Sequence, residues 1–340
     1  MDLPQRLTLN NGLSMPHVSI GTFQGDAGNQ KVKDAVKLAL HLGYRSIDGA
    51  AAYGNEKEIG EAIRESRVPR EEIFVISKLA QTWHKPSDVA QGLDESLRDL
   101  QLEYVDLYLM HFPHAYECDD QHRTVRHPSG NGKPVIDYEL SRNYITTWKA
   151  MESLIESGKA KAIGVSNFNL LKIRSLIEAA RIIPAVNQVE IHPYLAQEDL
   201  VQFCQQRKIT IMAHQPLGGR PVGVVRANPG VPPPTEDPKI IEIASNLGIS
   251  TAQVCLSWAV QKGIPVVPKS VQERHMKENL ELVKLSEPIV RTIDDLSQSR
   301  GPIRFLDPSP HIGFDIFDEE QDQPIYNSAS GASSPSKLGG

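Results

Sequence analysis

Residues 72–111, EIFVISKLAQTWHKPSDVAQGLDESLRDLQLEYVDLYLMH, read as a strand, a helix and a second strand. The flanking runs EIFVISK (72–78) and YVDLYLMH (104–111) are short and mostly apolar, while PSDVAQGLDESLRDL (86–100) between them is helix-like. Strands buried on both faces of a parallel sheet give such unbroken apolar runs, because crossover helices cover each side. Each run here ends on an ionisable side chain, Lys78 and His111. The alternation extends in both directions. Helix-like stretches include QKVKDAVKLALHLG, NYITTWKAMESLIESGK, NLLKIRSLIEAA, QEDLVQFCQQRK and DPKIIEIASNLG. Further β-like runs are the segment from His17 to Gly21, YRSID ending at Asp48, AKAIGVS, AVNQVEI, ITIMAH and IPVVPKS, which brings the count to eight. Eight parallel strands with interleaved helices predict an α/β fold, a closed (β/α)8 TIM barrel. Active groups of such barrels gather at the strand C-termini. Asp48, Lys78 and His111 stand there, and Tyr53 lies a short loop beyond the first of them.

Barrels of this kind run to about 250 residues as one unit. The 340 residues are therefore read as a single barrel over 1–321 and a tail over 322–340, whose Ser/Gly-rich NSASGASSPSKLGG has the composition of an unfolded terminus. LTLNNGLSMP reads as a β-hairpin turning through Asn10, Asn11 and Gly12, placed to plug the barrel's floor. Two long stretches, the polar 114–143 and the Gly/Pro-rich 216–237, leave the C-terminal face beside the active groups and read as lids.

A hydrophobic fraction of 40% and a charged fraction of 23% fit a globular enzyme. The formal charge of −6 opposes a nucleic-acid surface, though a local basic pocket can still take one anionic small molecule. Cys118, Cys204 and Cys255 are odd in number and far apart, which favours a reduced compartment. With no basic-then-apolar leader and no long apolar run, the expected location is cytoplasmic, away from membranes. His111, His114, His122 and His127 cluster in sequence, but their spacing matches no known ligand set, so no metal is expected. Tyr53 and Lys57 satisfy the YxxxK pattern of short-chain dehydrogenases, yet the N-terminal glycine-rich turn that class needs is missing. A cofactor-binding regulatory or structural barrel without turnover stays open as the alternative.

The segments DGAAAYGNEKEIGEAI, VISKL, DLYLMHFP, GVSNFN, NQVEIHPY and VPKS, in this order and spacing, resemble the aldo-keto reductase family over roughly residues 7–320. The resemblance implies a (β/α)8 barrel that binds a nicotinamide dinucleotide and reduces aldehydes or ketones to alcohols. In that family a hydride passes to the carbonyl carbon while a tyrosine protonates the developing alkoxide. Tyr53 matches that tyrosine, Lys78 the cation expected to lower its pKa, Asp48 the partner of the lysine, and His111 the residue that orients the carbonyl oxygen. Taken singly, Asp48 reads as a turn cap and Tyr53 or His111 as packing; their joint appearance at strand ends favours catalysis.

The resemblance places Thr22 and Asp48 near the nicotinamide ribose and Ser166, Asn167 and Gln188 at its carboxamide, although Ser166 and Asn167 also suit capping of the next helix. Where the family stacks a tyrosine on the nicotinamide, this chain has His214, followed at Leu217 by another cofactor-side position. Lys269 and Ser270 match the residues that hold the adenosine 2′-phosphate, and Asn279 the adenine contact. NADPH is therefore the expected cofactor. NADH is admitted because His275 stands where the family has arginine, with Arg274 one residue earlier. Phe23, Trp83, His111 and Phe112 are the substrate-side residues, with Phe305, Phe314 and Phe317 closing the mouth; Ala80 stands where relatives often carry tryptophan. HIGFDIFDEE is similar to fungal-type members that act on sugar aldehydes, glycerol-type compounds and uronic acids. The expected partner is a small carbonyl compound, and the expected state a monomer or weak dimer.

Overall fold

The computed structural model describes residues 3–24, 29–128, 132–219, 231–312, 314, 316 and 317. Strands β1 (Arg6–Thr8) and β2 (Ser14–Pro16) form an antiparallel hairpin. β3 (Ile20–Gly21), β4 (Ser46–Asp48), β5 (Phe74–Leu79) and β6 (Leu107–Met110) begin a second sheet. β7 (Ala115–Tyr116) and β8 (Ile136–Asp137) pair with each other, and β9 (Ile163–Ser166), β10 (Val186–Glu190), β11 (Thr210–His214) and β12 (Val266–Val267) complete the second sheet. That sheet has eight parallel strands in chain order. Its two edges meet: Ser19 N donates to Val266 O at 2.9 Å, Val266 N to His17 O at 2.8 Å, and Gly21 N to Pro268 O at 3.0 Å. The expected (β/α)8 TIM barrel is present.

The period-2 alternation of strands assigns each residue a face. Phe74 and Ile76 on β5, Leu107 and Leu109 on β6, Ala162 before β9, Val186 on β10 and Met212 on β11 form one buried cluster together with Leu9 and Met15 of the hairpin. Their neighbours Val75, Tyr108, Met110, Ile163, Val165, Ile211 and Ala213 belong to a larger cluster shared with the helices. The first set therefore fills the barrel, and the hairpin closes its floor. Asn10 Nδ2 and Asn11 Nδ2 fasten that plug at 3.0 Å each, to the carbonyls of Pro184 and Lys161. The interior is tight enough that a Cβ on Gly164 would lie 2.5 Å from Val186 O and 2.7 Å from a Leu109 methyl. Continuing the inward rows by two residues leads to Lys78, His111, Gln188 and His214, and by four, past Gly164, to Ser166, so a barrel that is apolar below ends in a polar rim above.

Helices Asn29–His41, Val89–Leu100, Tyr144–Glu156, Leu170–Ala179, Glu198–Gln206 and Pro238–Leu247 coincide with the helix-like stretches of the sequence, and Glu56–Ser66 adds one more. Thr251–Gln261, Glu273–Leu280 and Glu287–Arg300 are further helices. The first starts at a capping box in which Gln253 N donates to Ser250 Oγ at 3.2 Å and Ser250 N to Gln253 Oε1 at 2.9 Å. No described helix is by itself long and apolar enough to cross a membrane.

The insertion at 114–143 is an antiparallel arm, continued by bridges Cys118–Thr124 and Arg126–Pro134. Ile136 of the arm packs with Ile312, Phe314 and Ile316 of the C-terminal segment, flanked by Phe112, Tyr116, Tyr138 and Phe317. Residues 220–230 of the second long loop and the tail 322–340 lie outside the described residues.

Candidate active site

Lys78, Asp48 and His111 converge at the C-terminal rim with relative exposures of 0%, 3% and 7%. An unpaired ammonium is costly to bury. Lys78 Nζ meets Asp48 Oδ1 at 2.5 Å and donates to Gly49 O at 2.9 Å. The second oxygen of Asp48 accepts from Gln188 Nε2 at 2.6 Å, which ties β4 to β10 across the barrel. Asp48 is thus engaged in the interior and caps no turn.

Tyr53 closes the single helical turn Ala51–Tyr53 and brings its ring 5.5 Å from that of His111, edge to face. The Lys78 ammonium lies 5.2 Å from the phenol ring centroid and acts on the phenol by charge and by a hydrogen bond. Burial is nonetheless the strongest influence and pushes the Tyr53 pKa up, the nearby Asp48 carboxylate adding to the rise while Lys78 opposes it. The net direction is opposite to the one expected from a cation beside a phenol. The cation is present as expected, but burial of the phenol outweighs it. For Lys78 burial again works against the charge, but Asp48 and Tyr53 prevail and the ammonium is held above its ordinary range. Burial first, then Lys78 and three other histidines, hold His111 well below 6.5, so its imidazole is neutral. A neutral phenol and a neutral imidazole both carry N–H or O–H donors that suit a carbonyl oxygen.

The wall beside these groups is one hydrogen-bonded chain. Ser166 Oγ donates to Gln188 O at 2.8 Å, Asn167 Nδ2 donates to His111 O at 2.9 Å and to Ser166 Oγ at 3.1 Å, and His214 Nε2 lies 2.9 Å from Asn167 Oδ1. The cap of the following helix is Asn169, whose side chain accepts from Lys172 N at 2.9 Å. Ser166 and Asn167 are therefore free of capping and belong to the wall. Thr22 Oγ1 donates to Asp48 O at 2.8 Å, and Asn55 Nδ2 to Thr22 O at 2.9 Å.

A groove leads from Gly21 and Thr22 to Lys269 and Ser270, because the last barrel strand pairs with the first. Lys269 is exposed there, and its pKa is lowered by partial burial and by the nearby Lys31. Neither lysine has an ion pair among the described residues. Two adjacent cations without an anion fit a phosphate-bearing ligand. Lys31 is not legible from the sequence, since it stands on the first helix, far from Lys269 in the chain. Asn279 is buried and contacts the Tyr44 hydroxyl, His275 is exposed, and Arg274 is drawn aside into a 2.7 Å contact with Glu278. Leu217 is partly buried against the core after β11.

Aromatic rings line the opening. Phe23 lies 5.1 Å from Tyr53 and Phe112 5.0 Å from His111. Trp83 stacks on His122 of the arm at 3.5 Å and 14°, a contact that holds it against the insertion beside the position of Ala80. Phe314 and Phe305, expected to close the mouth, are instead buried in apolar clusters, Phe314 packing toward His114 at 6.1 Å and Phe305 turning to His192 at 5.2 Å, while Phe317 lies under the Arg304 guanidinium at 3.8 Å. No group of three or more His, Cys, Asp or Glu among the described residues is arranged to hold a metal ion.

A family model described as the aldo/keto reductase family matches residues 17–298. The chain is 40% identical over 329 residues to an aldo-keto reductase family 1 member A1 of Bos taurus, covering 94% of this chain and 97% of that protein. It is 41% identical over 319 residues to a D-galacturonate reductase of Hypocrea jecorina, covering 92% and 97%. Among solved structures, an aldose reductase from Schistosoma japonicum superposes with a TM-score of 0.77 at 35% identity, covering 86% of this chain and 92% of that one.

Proposed function

The chain belongs to the aldo/keto reductase family, and from that premise we propose that it is an NADPH-dependent reductase in which Tyr53 is the general acid. That it is an oxidoreductase acting on small carbonyl compounds with a nicotinamide cofactor follows from the family. The single observation supporting the finer reading is the buried contact of Lys78 with Asp48 at 2.5 Å beside the Tyr53 phenol. When bound, the cofactor supplies the hydride. Ser166, Asn167 and Gln188 would hold its carboxamide, with Thr22 and Asp48 at the ribose and His214 and Leu217 alongside.

Within this chain the work is proton transfer and orientation. Tyr53 stays protonated through neutral pH because burial raises its pKa, so the acid is available before any charge develops. As negative charge grows on the substrate oxygen and passes to the phenol, Lys78 stabilises it, and Asp48 keeps that ammonium in register. Neutral His111 donates to the same oxygen and fixes which lone pair faces Tyr53. The aromatic opening formed by Phe23, Phe112 and Trp83 binds the rest of the substrate and excludes water. Similarity to the D-galacturonate reductase makes hexuronates candidate substrates beside neutral aldehydes. A cytoplasmic location and a monomeric or weakly dimeric state complete the reading.

The choice of NADPH over NADH rests on Lys269, Ser270 and Lys31, with Asn279 at the adenine and His275 at the groove's outer edge. Lys269→Ala should raise the Kd for NADPH about tenfold and leave that for NADH within about twofold, since one charge-assisted contact to a phosphate is lost. Fluorescence titration with each cofactor measures this; equal weakening for both would remove Lys269 from the phosphate site. Steady-state assays over uronates, sugar aldehydes, aromatic aldehydes and bulky ketones test the substrate class.

A further inference from the structure

We propose that His214 is a positioning residue whose Nε2–H locks the Asn167 carboxamide and, through it, the main chain of His111. The hydrogen bonds of Asn167 leave one solution. Its Nδ2 faces two acceptors, the His111 carbonyl at 2.9 Å and Ser166 Oγ at 3.1 Å, whose own hydrogen goes to Gln188 O at 2.8 Å. Both amide hydrogens are spent, so Oδ1 must face His214 Nε2 at 2.9 Å, and His214 must be the donor. Flipping the amide would set Oδ1 against the His111 carbonyl oxygen. The backbone adds a second constraint: Asn167 sits at φ 62°, a left-handed conformation that asparagine tolerates better than most residues and that needs local bonds to persist. Asn167 N also donates to Gln188 O at 2.9 Å, so the residue is held on both sides. His214, on β11, ties this unit to a strand two places along the sheet from β9.

Burial pushes His214 down to about 4, against the pull of Glu190 and with help from Lys78, Arg304 and His192, so the ring stays neutral near pH 7. A neutral imidazole has one N–H, and here Nε2 carries it. The edge of the ring is committed to Asn167, a role that ring-face stacking alone would not require.

Two variants separate the roles. His214→Phe keeps an aromatic face and removes the donor; His214→Gln removes the face and keeps an N–H at the same number of bonds from Cβ. If the donor matters, His214→Phe raises the Kd for NADPH about five-fold, the value of one ordinary hydrogen bond, and lowers kcat, while His214→Gln restores both to within about twofold. Full binding by His214→Phe, or equal loss in both variants, would overturn the assignment. The functional consequence depends on a nicotinamide cofactor lying at this wall; the hydrogen bond does not. Nitrogen-detected NMR of His214 in the cofactor-free protein is expected to show the Nε2–H tautomer at neutral pH, and an Nδ1–H tautomer would contradict the bond. A wild-type protein that bound neither NADPH nor NADH would sink the proposed function, with the NMR result still deciding the geometry.

Discussion

Replacing Tyr53 with Phe should lower turnover by roughly 10²–10⁴-fold, the range ascribed to a positioned general acid, with NADPH affinity within about twofold of wild type. The substitution removes one hydroxyl and keeps the ring, so the contacts of that ring with Phe23 at 5.1 Å and with His111 at 5.5 Å persist. Lys78 keeps Asp48 and the Gly49 carbonyl as partners, so no buried charge is orphaned. Loss of activity can then be assigned to chemistry, because an interaction made only in the transition state lowers kcat and kcat/KM together. The pH profile carries a second signature. Burial raises the Tyr53 pKa and lowers that of His111, so neither group titrates near neutrality in the free enzyme. Wild-type kcat/KM for reduction should be flat from mildly acidic through neutral pH and fall only in the alkaline range. Stopped-flow or steady-state assays across pH check this; substantial turnover by the Phe variant would transfer the acid role elsewhere.

Lys78→Met should damage both the reaction and the fold, and the two losses can be separated. Removing the ammonium leaves the Asp48 carboxylate buried with Gln188 as its remaining side-chain partner at 2.6 Å. Breaking a buried pair from one side costs about 3–5 kcal/mol of stability, because the surviving charge is uncompensated. Adding Asp48→Asn replaces the carboxylate with an uncharged amide and should recover most of the lost stability. Turnover should stay at least about 10²-fold below wild type in both variants, because the phenolate that forms during proton transfer has lost its cation. Denaturant unfolding beside initial-rate measurement gives both quantities. If the double variant regained turnover along with stability, Lys78 would be a structural lysine and no more.

Much of this site is legible in the sequence for a simple reason. Parallel strands buried on both faces read as apolar runs, and a charged residue at the end of such a run, as with Lys78 after FVIS, needs a partner nearby. The hairpin is equally readable from Asn10, Asn11 and Gly12. Less is visible wherever contacts join distant segments. Helix Thr251–Gln261 is buried nearly all round, so no amphipathic stripe marks it; Trp258 and the capping residue Lys262 both reach Asp294 of Glu287–Arg300, at 2.8 and 2.7 Å. The arm at 114–143 reads as polar loop, yet its Ile136 finds a core with Phe314, some 180 residues away. The net rise of the Tyr53 pKa is hidden from the sequence because burial cannot be weighed from neighbours in the chain. His214 reads as a replaced stacking ring, and its bond to Asn167 depends on how β11, two strands along from β9, brings its end to the loop after β9.

The central claim, that this barrel delivers a cofactor hydride to a carbonyl carbon while Tyr53 supplies the proton, is tested most directly by isotope transfer. NADPH carrying deuterium at the reactive nicotinamide carbon, mixed with the enzyme and an aldehyde it accepts, should yield an alcohol with one deuterium on the former carbonyl carbon, in equal amount to the NADPH consumed, and the Tyr53→Phe variant should form that product far more slowly. NADPH that binds without being consumed, or an alcohol whose carbinol hydrogen comes from water, would contradict the account.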